Sequence, residues 1–120
     1  MSSKISIEKV SDLQAIDNDS TDYSVSSRFK DCAGNAAIVL ISTAGSITVS
    51  QQISMDNVTF YDPVDTSGTP LGVLATDQTV TTGKYIAFTP VLCPYTRFKI
   101  VAADSAATVL TIKLIFRKEV

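Results

Sequence analysis

The last 24 residues before the final valine alternate apolar and polar side chains with a period of two. The segment TRFKIVAADSAATVLTIKLIFRKE, from Thr96 to Glu119, keeps this pattern on both sides of a stretch of small residues. Successive side chains of a strand point to opposite faces, so the pattern is typical of two half-buried strands. We predict that they pair as a hairpin across residues 103–107, with Phe98 and Ile100 facing the apolar residues of the last strand. The predicted solvent face then carries Arg97, Lys99, Lys113 and Arg117.

Similar patterns recur through most of the chain. Residues 23–30 alternate in a way that predicts Tyr23, Val25, Ser27 and Phe29 on one side of a strand. The apolar run Ala36–Ser42 suits a strand buried on both faces, whereas residues 47–54 predict Ile47, Val49 and Ile53 pointing inward. Asp62–Gly72 is rich in turn residues and predicts a long loop, Thr82–Gly83 predicts a turn, and Pro90 and Pro94 argue against an interior strand between them.

About seven or eight short strands at this spacing indicate an all-β fold. We predict an antiparallel β-sandwich, of jelly-roll or immunoglobulin-like type, with a small β-barrel as the alternative. The length of 120 residues suits one domain. Because the final segments supply a whole core face, we expect that C-terminal truncation is not tolerated.

The first 22 residues differ from the rest, and we predict an N-terminal arm (1–22) followed by a sandwich domain (23–120). The arm would hold one short strand at Lys4–Val10 and then a loop. Its β-branched residues suit either completion of its own sheet or addition of a strand to a neighbouring molecule. Both alternatives stay open at the level of sequence.

The charge and composition disfavour several classes of function. A net charge of −2 and a pI near 4.8 argue against nucleic-acid binding. A local basic patch remains an alternative, but a solvated strand face is the preferred interpretation of the basic residues Arg97, Lys99, Lys113, Arg117 and Lys118. The chain has no apolar run long enough to span a membrane and no secretory signal pattern, so we expect folding in a cytoplasm and no membrane partner. Cys32 and Cys93 are then best interpreted as small buried apolar residues, with a disulfide or zinc site as less favoured alternatives.

The sequence offers no catalytic motif. It lacks histidine, its five glycines do not form a phosphate-binding pattern, and its aspartates lie mostly in predicted turns, where we expect their side chains to cap the backbone. We therefore predict no enzyme activity and no cofactor. Asp17–Asp22 is rich in carboxylates but departs from the EF-hand pattern, so a solvated linker is preferred to a calcium site. Tyr61, Tyr85 and Tyr95 are candidates for stacking on sugars, although core or interface positions are favoured.

Two longer segments carry a family resemblance. ITVSQQISMDNVTFYDPVDTSGTPLG (Ile47–Gly72) has a strand ending in Gln-x-Ser, a turn and an aromatic strand, and GKYIAFTPVLCPYTRFKIVA (Gly83–Ala102) contains an aromatic-Arg-aromatic element. Together with DCAGNAAIVLIS, this resembles small β-sandwich structural proteins of tailed bacteriophages, over about residues 23–118. Phe60 stands where that group usually has tryptophan, and Asn57 where it has the turn glycine, a position that Asn also tolerates.

The resemblance implies a virion structural protein, either a head decoration or cement protein or a tail accessory module. We predict capsid decoration through contacts with the major capsid protein or tail proteins, in the virion, as a homo-oligomer assembled in the host cytoplasm. The alternative is a tail- or fibre-associated module that binds carbohydrate or a receptor. The candidate interaction residues are Ile5, Ile7, Val10, Tyr61, Tyr85 and Tyr95.

Overall fold

The structure is a computed structural model that describes residues 3–16, 20–29, 32–102 and 108–119. These residues contain strands and no helix. The strands are β1 (Ser3–Ile16), β2 (Thr21–Tyr23), β3 (Ser27–Arg28), β4 (Cys32–Ser42), β5 (Ser46–Ser54), β6 (Val73–Thr79), β7 (Lys84–Phe88), β8 (Tyr95–Ala102) and β9 (Thr108–Glu119).

The strands form two antiparallel sheets. Sheet A has the order β1-β9-β4-β7, and sheet B has the order β2-β8-β5-β6, with β3 also pairing with β8. The inner faces of the two sheets share one hydrophobic core. The predicted all-β sandwich is therefore confirmed.

The pairing is nested about the middle of the chain. β1 pairs with β9, β2 with β8, β4 with β7, and β5 with β6. A chain paired in this way is a long hairpin rolled up so that its strands fall into two sheets, which is the arrangement of a jelly roll. The topology thus selects the jelly roll among the predicted alternatives.

The core is built mainly from alternate residues of four central strands. β9 contributes four side chains that are at most 2% exposed, and β4, β5 and β8 supply further buried residues. The fully buried apolar residues of these strands include Ile38, Leu40, Ile47, Val49, Phe98, Ile100, Leu110, Ile112 and Leu114. Phe98 packs edge-on against Phe88, with ring centroids 6.5 Å apart, and so joins β8 of sheet B to β7 of sheet A.

The predicted hairpin between the two final segments is wrong. β8 pairs with β5 and β2 in sheet B, whereas β9 pairs with β1 and β4 in sheet A. Both strands carry a complete apolar face, and placing them in opposite sheets lets these faces meet across the core. Arg97 and Lys99 consequently lie on the other side of the molecule from Lys113 and Arg117, while the predicted turn at 103–107 lies outside the described residues.

The predicted strand over residues 23–30 is interrupted, and two of the four residues predicted to point inward are exposed. Ser27 and Phe29 are buried as predicted, but Tyr23 and Val25 are exposed and Ser24 is buried. The Val25 amide donates to the Val10 carbonyl of β1, and the Ser24 hydroxyl accepts the Phe98 amide of β8. The chain crosses here between the edges of the two sheets, and the crossing shifts the phase of the alternation.

The N-terminal segment forms a strand longer than the predicted Lys4–Val10. β1 pairs with β9 of the same chain from Ser3 opposite Glu119 to Ile16 opposite Thr108. Its register is irregular between Lys9 and Gln14, where Leu13 has a φ of 49°, so this edge strand carries bulges. The division into an arm (1–22) and a domain (23–120) stays a prediction.

Several local predictions are confirmed. Ile47 and Val49 are fully buried, and Ile53 packs against the core. Asn57 adopts a φ of 62°, in the left-handed region that Asn tolerates. Residues 62–72 form a loop, and residues 89–94 contain no strand.

Truncation of the central aromatic residue tests this core. Phe98→Ala removes a fully buried ring, so we expect the free energy of unfolding to fall by about 3–5 kcal/mol in urea denaturation. Leu92→Ala is the control, because Leu92 is 91% exposed and should change stability by no more than about 0.5 kcal/mol. Equal effects of the two changes would contradict the proposed core.

Candidate functional site

The outer face of sheet A is apolar across all four strands. Directly paired residues of antiparallel strands point to the same side, so the registers identify the outward residues. One row crosses the sheet and consists of Ile7, Ile115, Ala37 and Ala87. We call this surface the A face, and its outward residues are Ile5, Ile7, Lys9, Ala37, Val39, Ile41, Tyr85, Ala87, Val109, Thr111, Lys113, Ile115 and Arg117.

β4 shows why this face is unusual. Its apolar run predicts burial on both faces, but only the inner residues, among them Ile38 and Leu40, lie under the other sheet. On the outer side Ala37 is buried, Val39 is half-buried and Ile41 is 45% exposed. The prediction of burial on both faces is therefore wrong for the single chain, because no described segment covers the outer side of sheet A.

A shallow groove lies on the A face over β4, β7 and β9. Its volume is about 240 Å³, and its lining includes Ile5, Tyr85 and Ile115 together with Asn35 and Arg117. Ile5 and Tyr85 are each more than 60% exposed. Exposed apolar residues gathered in this way are typical of a surface that contacts another molecule.

The charges on the A face are positive. Lys9 and Lys113 are direct partners across β1 and β9, and Arg117 lies four residues further along β9, opposite Ile5. Lys9 forms an ion pair with Asp12, with 3.6 Å between Nζ and Oδ1. Neither Lys113 nor Arg117 forms an ion pair with any residue in the described ranges. The face is thus an apolar surface with uncompensated cations.

The loop between β5 and β6 (residues 55–72), which we call the β5–β6 loop, is folded by two aspartates. Asp56 accepts hydrogen bonds from the amides of Thr59 and Val58, each at 2.9 Å. Asp65 accepts from the amides of Thr69 and Ser67 at 2.9 and 2.8 Å. These backbone bonds lower the pKa of both carboxyl groups, so both are charged near neutral pH. The prediction that turn aspartates cap their own backbone is confirmed here.

The β5–β6 loop also combines exposed apolar residues with acidic charge. It contains Asp56, Asp62 and Asp65, and the sequence has no lysine or arginine between Ser54 and Gly83. The exposed apolar side chains of this loop are Met55, Val58, Tyr61, Val64 and Leu71. The loop is therefore an acidic and apolar counterpart to the basic and apolar A face.

Arg97 of β8 holds the β5–β6 loop on the outer face of sheet B. Its guanidinium carbon lies 3.9 Å from the ring centroid of Tyr23 and 4.1 Å from that of Phe60, so the group is sandwiched between two aromatic rings. Arg97 Nε donates to Gln52 Oε1 at 2.8 Å, and Gln52 Nε2 donates to Asp62 Oδ1 at 2.9 Å. The loop is thereby fixed on the side of the molecule opposite the A face.

Gln51, which sequence reasoning did not single out, fixes a second segment. It points inward and is 1% exposed, and its Oε1 accepts the Val91 amide at 3.1 Å while its Nε2 donates to the Val91 carbonyl at 3.4 Å. A buried amide needs such partners. Gln51 precedes the Gln-x-Ser motif, which begins at Gln52, and the alternation of apolar and polar residues gave no indication of its partner.

The two cysteines are free thiols on one shallow depression of about 120 Å³ beside Phe29 and Leu92. Cys93 is buried and Cys32 is half-buried. Burial raises the pKa of both thiols, that of Cys93 to about 11. The interpretation of the pair as small reduced residues fits this geometry better than a disulfide.

The predicted interaction residues do not form one site. Ile5, Ile7 and Tyr85 lie on the A face, and Val10 is buried in the core. Tyr61 and Tyr95 lie on the other sheet, where they pair with Ile53 and Ser54.

No group of three or more metal-ligating side chains gathers within the described ranges. The proposed carboxylate segment Asp17–Asp22 lies partly outside them, at residues 17–19. In the same part of the chain no helix is present that could cross a membrane.

Comparison with known proteins finds similarity in fold. No protein-family model and no curated protein sequence matches the chain. A chain of the infectious bursal disease virus VP2 subviral particle matches with a TM-score of 0.57 and 10% identity over 98% of this chain. A chain in the structure of the infectious bursal disease virus Gx strain matches with a TM-score of 0.52 and 12% identity over 97% of this chain.

These matches cover 33% and 32% of the two viral chains, so this chain spans about a third of their length. At such low identity the similarity defines the fold class alone. The chain has the β-sandwich fold that occurs in these virus-particle chains.

Replacement of Arg97 tests how the β5–β6 loop is held. Arg97→Gln removes both ring contacts, so we expect a loss of roughly 1–3 kcal/mol in stability and faster chymotrypsin cleavage at Phe60 and Tyr61. Lys99→Gln is the matched control, because Lys99 lies on the same face of β8 and carries the same charge. Similar cleavage of both variants would count against the clamp.

The thiols give a prediction for pH dependence. The pKa of Cys93 rises from 9.0 to about 11, so the folded chain retains a proton that the unfolded chain loses in this window. The free energy of unfolding should therefore fall as pH rises from 9.0 to about 11, and it should fall by more than it does in Cys93→Ala. Parallel stability curves of the two proteins, measured by urea denaturation against pH, would contradict the raised pKa.

Proposed function

We propose that this protein is a structural component of a virus particle and acts by binding other virion subunits. The observation that carries the proposal is the A face, an apolar sheet surface that no described segment covers. A sheet with one side on the core normally shows polar residues on the other side. Here the outer residues of β1 and β4 are largely apolar, and β9 adds Val109 and Ile115, which suits a surface that becomes covered in an assembly.

The jelly-roll fold supports this proposal. The two structural neighbours are chains of virus particles, and they share the sandwich over nearly the whole length of this chain. A fold by itself does not define function, so the neighbours add support only together with the A face. Many weak contacts with a repeating particle would add up to stable attachment.

The finer role that we propose is decoration of the capsid of a tailed bacteriophage, with the major capsid protein as the partner. It rests on the resemblance of residues 23–118 to small phage structural proteins. Addition of the first strand to a neighbouring molecule, one of the two alternatives left open by the sequence, would require β1 to leave β9, its partner along nearly its whole length. Docking through the A face needs no such rearrangement, so we favour it as the way in which the chain contacts other virion subunits.

Binding of carbohydrate on a tail is less well supported. A sugar platform requires aromatic rings that share one open face. Tyr85 lies on sheet A, whereas Tyr61 and Tyr95 lie on sheet B, so the three candidate rings form no common surface.

The proposal predicts that the chain is found in purified particles. Virus particles separated on a density gradient should contain the chain at a fixed ratio to the major capsid protein, as measured by quantitative mass spectrometry. Particles that carry no copy, from infected cells that do contain the chain, would contradict the proposed function.

A further inference from the structure

We propose that the A face of one molecule binds the β5–β6 loop of a second copy of the same chain. This inference rests on the proposed function, because it names one contact by which the subunit would assemble. It starts from two surfaces that are each apolar and exposed but opposite in charge. The A face carries Lys113 and Arg117 without an acidic partner among the described residues. The β5–β6 loop carries three aspartates and no basic residue.

The A face and the β5–β6 loop of one molecule cannot contact each other. The loop is attached to sheet B by the Arg97 sandwich and by the hydrogen bond from the Gln51 amide to the Gly72 carbonyl at 2.7 Å. The A face lies on the outer side of sheet A, with the core between the two. A single copy therefore presents one surface of each kind on opposite sides.

A symmetric contact between two A faces is disfavoured. A two-fold axis through the groove would bring Arg117 of one molecule close to the same residue of the other, and juxtaposed like charges oppose association. The β5–β6 loop offers the opposite sign together with exposed Met55 and Val58, whose side chains are 76% and 80% exposed. Charge complementarity and apolar burial thus act in the same direction in the asymmetric contact.

A contact between two different surfaces has a geometric consequence. Each bound molecule still has one free A face or one free loop, so the contact repeats head to tail and gives a ring or an extended array. Repeated use of one contact in this way is what a subunit of a particle shell or of a decorating layer requires.

A charge-exchange experiment tests the contact. K113E/R117E makes the A face acidic, and M55K/V58K places two lysines beside Asp56, so that residues 55–58 at the tip of the β5–β6 loop become net positive, with all four substituted positions exposed. K4E/K84E is the control for net charge, because Lys4 and Lys84 lie off the A face and off the loop. Circular dichroism checks that each variant is folded, and sedimentation velocity gives the mass of each up to about 1 mM protein.

We expect the wild type and the control to associate as concentration rises. Each of the other two variants alone should dissociate with an apparent Kd at least about tenfold higher. An equimolar mixture of the two should recover association, because unchanged acidic loops then meet unchanged basic faces and positive loop tips meet acidic faces. A monomeric wild type, association of K113E/R117E equal to that of the wild type, or no recovery in the mixture would overturn the proposal.

These outcomes are separable from the test of the proposed function. A chain that is monomeric throughout but present in purified particles would retain its virion role, and its A face would then bind a different virion protein. A chain that associates as expected but is missing from particles would retain the contact and lose the virion role.

Discussion

The structure depends on the packing of one apolar face of β8 against one apolar face of β9. The two strands are neighbours in sequence, and each lies inside its own sheet with a partner on both sides. Their buried residues, from Phe98 on β8 to Leu114 on β9, are excluded from water only when the two sheets close on each other. The positions of β1, β2, β4 and β5 follow, because each pairs with one of these two strands.

The outer sides of the two sheets are covered to different extents. The β5–β6 loop folds over sheet B, and the Arg97 sandwich holds it there. Sheet A has no equivalent cover among the described residues, although β4 is apolar on both of its sides. The asymmetry gives the molecule one side that is covered by a loop and one side that is apolar and uncovered among the described residues, and the proposed role in a particle depends on that difference.

Alternation was sufficient to predict an all-β sandwich and the inward residues Ile47, Val49 and Ile53. It was insufficient for the pairing of β8 and β9, because a period of two identifies the buried face of a strand but not its neighbours. The same limit explains why Tyr23 was predicted to point inward but is exposed. The side to which its ring points depends on the place where the chain crosses between the sheets. At the candidate site, the sequence identified Ile5, Ile7 and Tyr85 as candidate interaction residues, and they lie on the A face. The Arg97 sandwich and the Gln51 contacts could not be predicted, because they join residues far apart in sequence and no local pattern marks them.

The nested pairing also determines when the molecule can fold. β1 is the first described strand to be synthesised, and its partner β9 is the last, so nearly the whole chain must exist before their ladder can form. Contacts between distant segments make folding slow and leave unpaired strand edges exposed in the meantime. Until β9 is synthesised, Ile5 and Ile7 belong to an unpaired strand whose backbone can pair with another chain. Misassembly during synthesis is therefore a hazard of this topology.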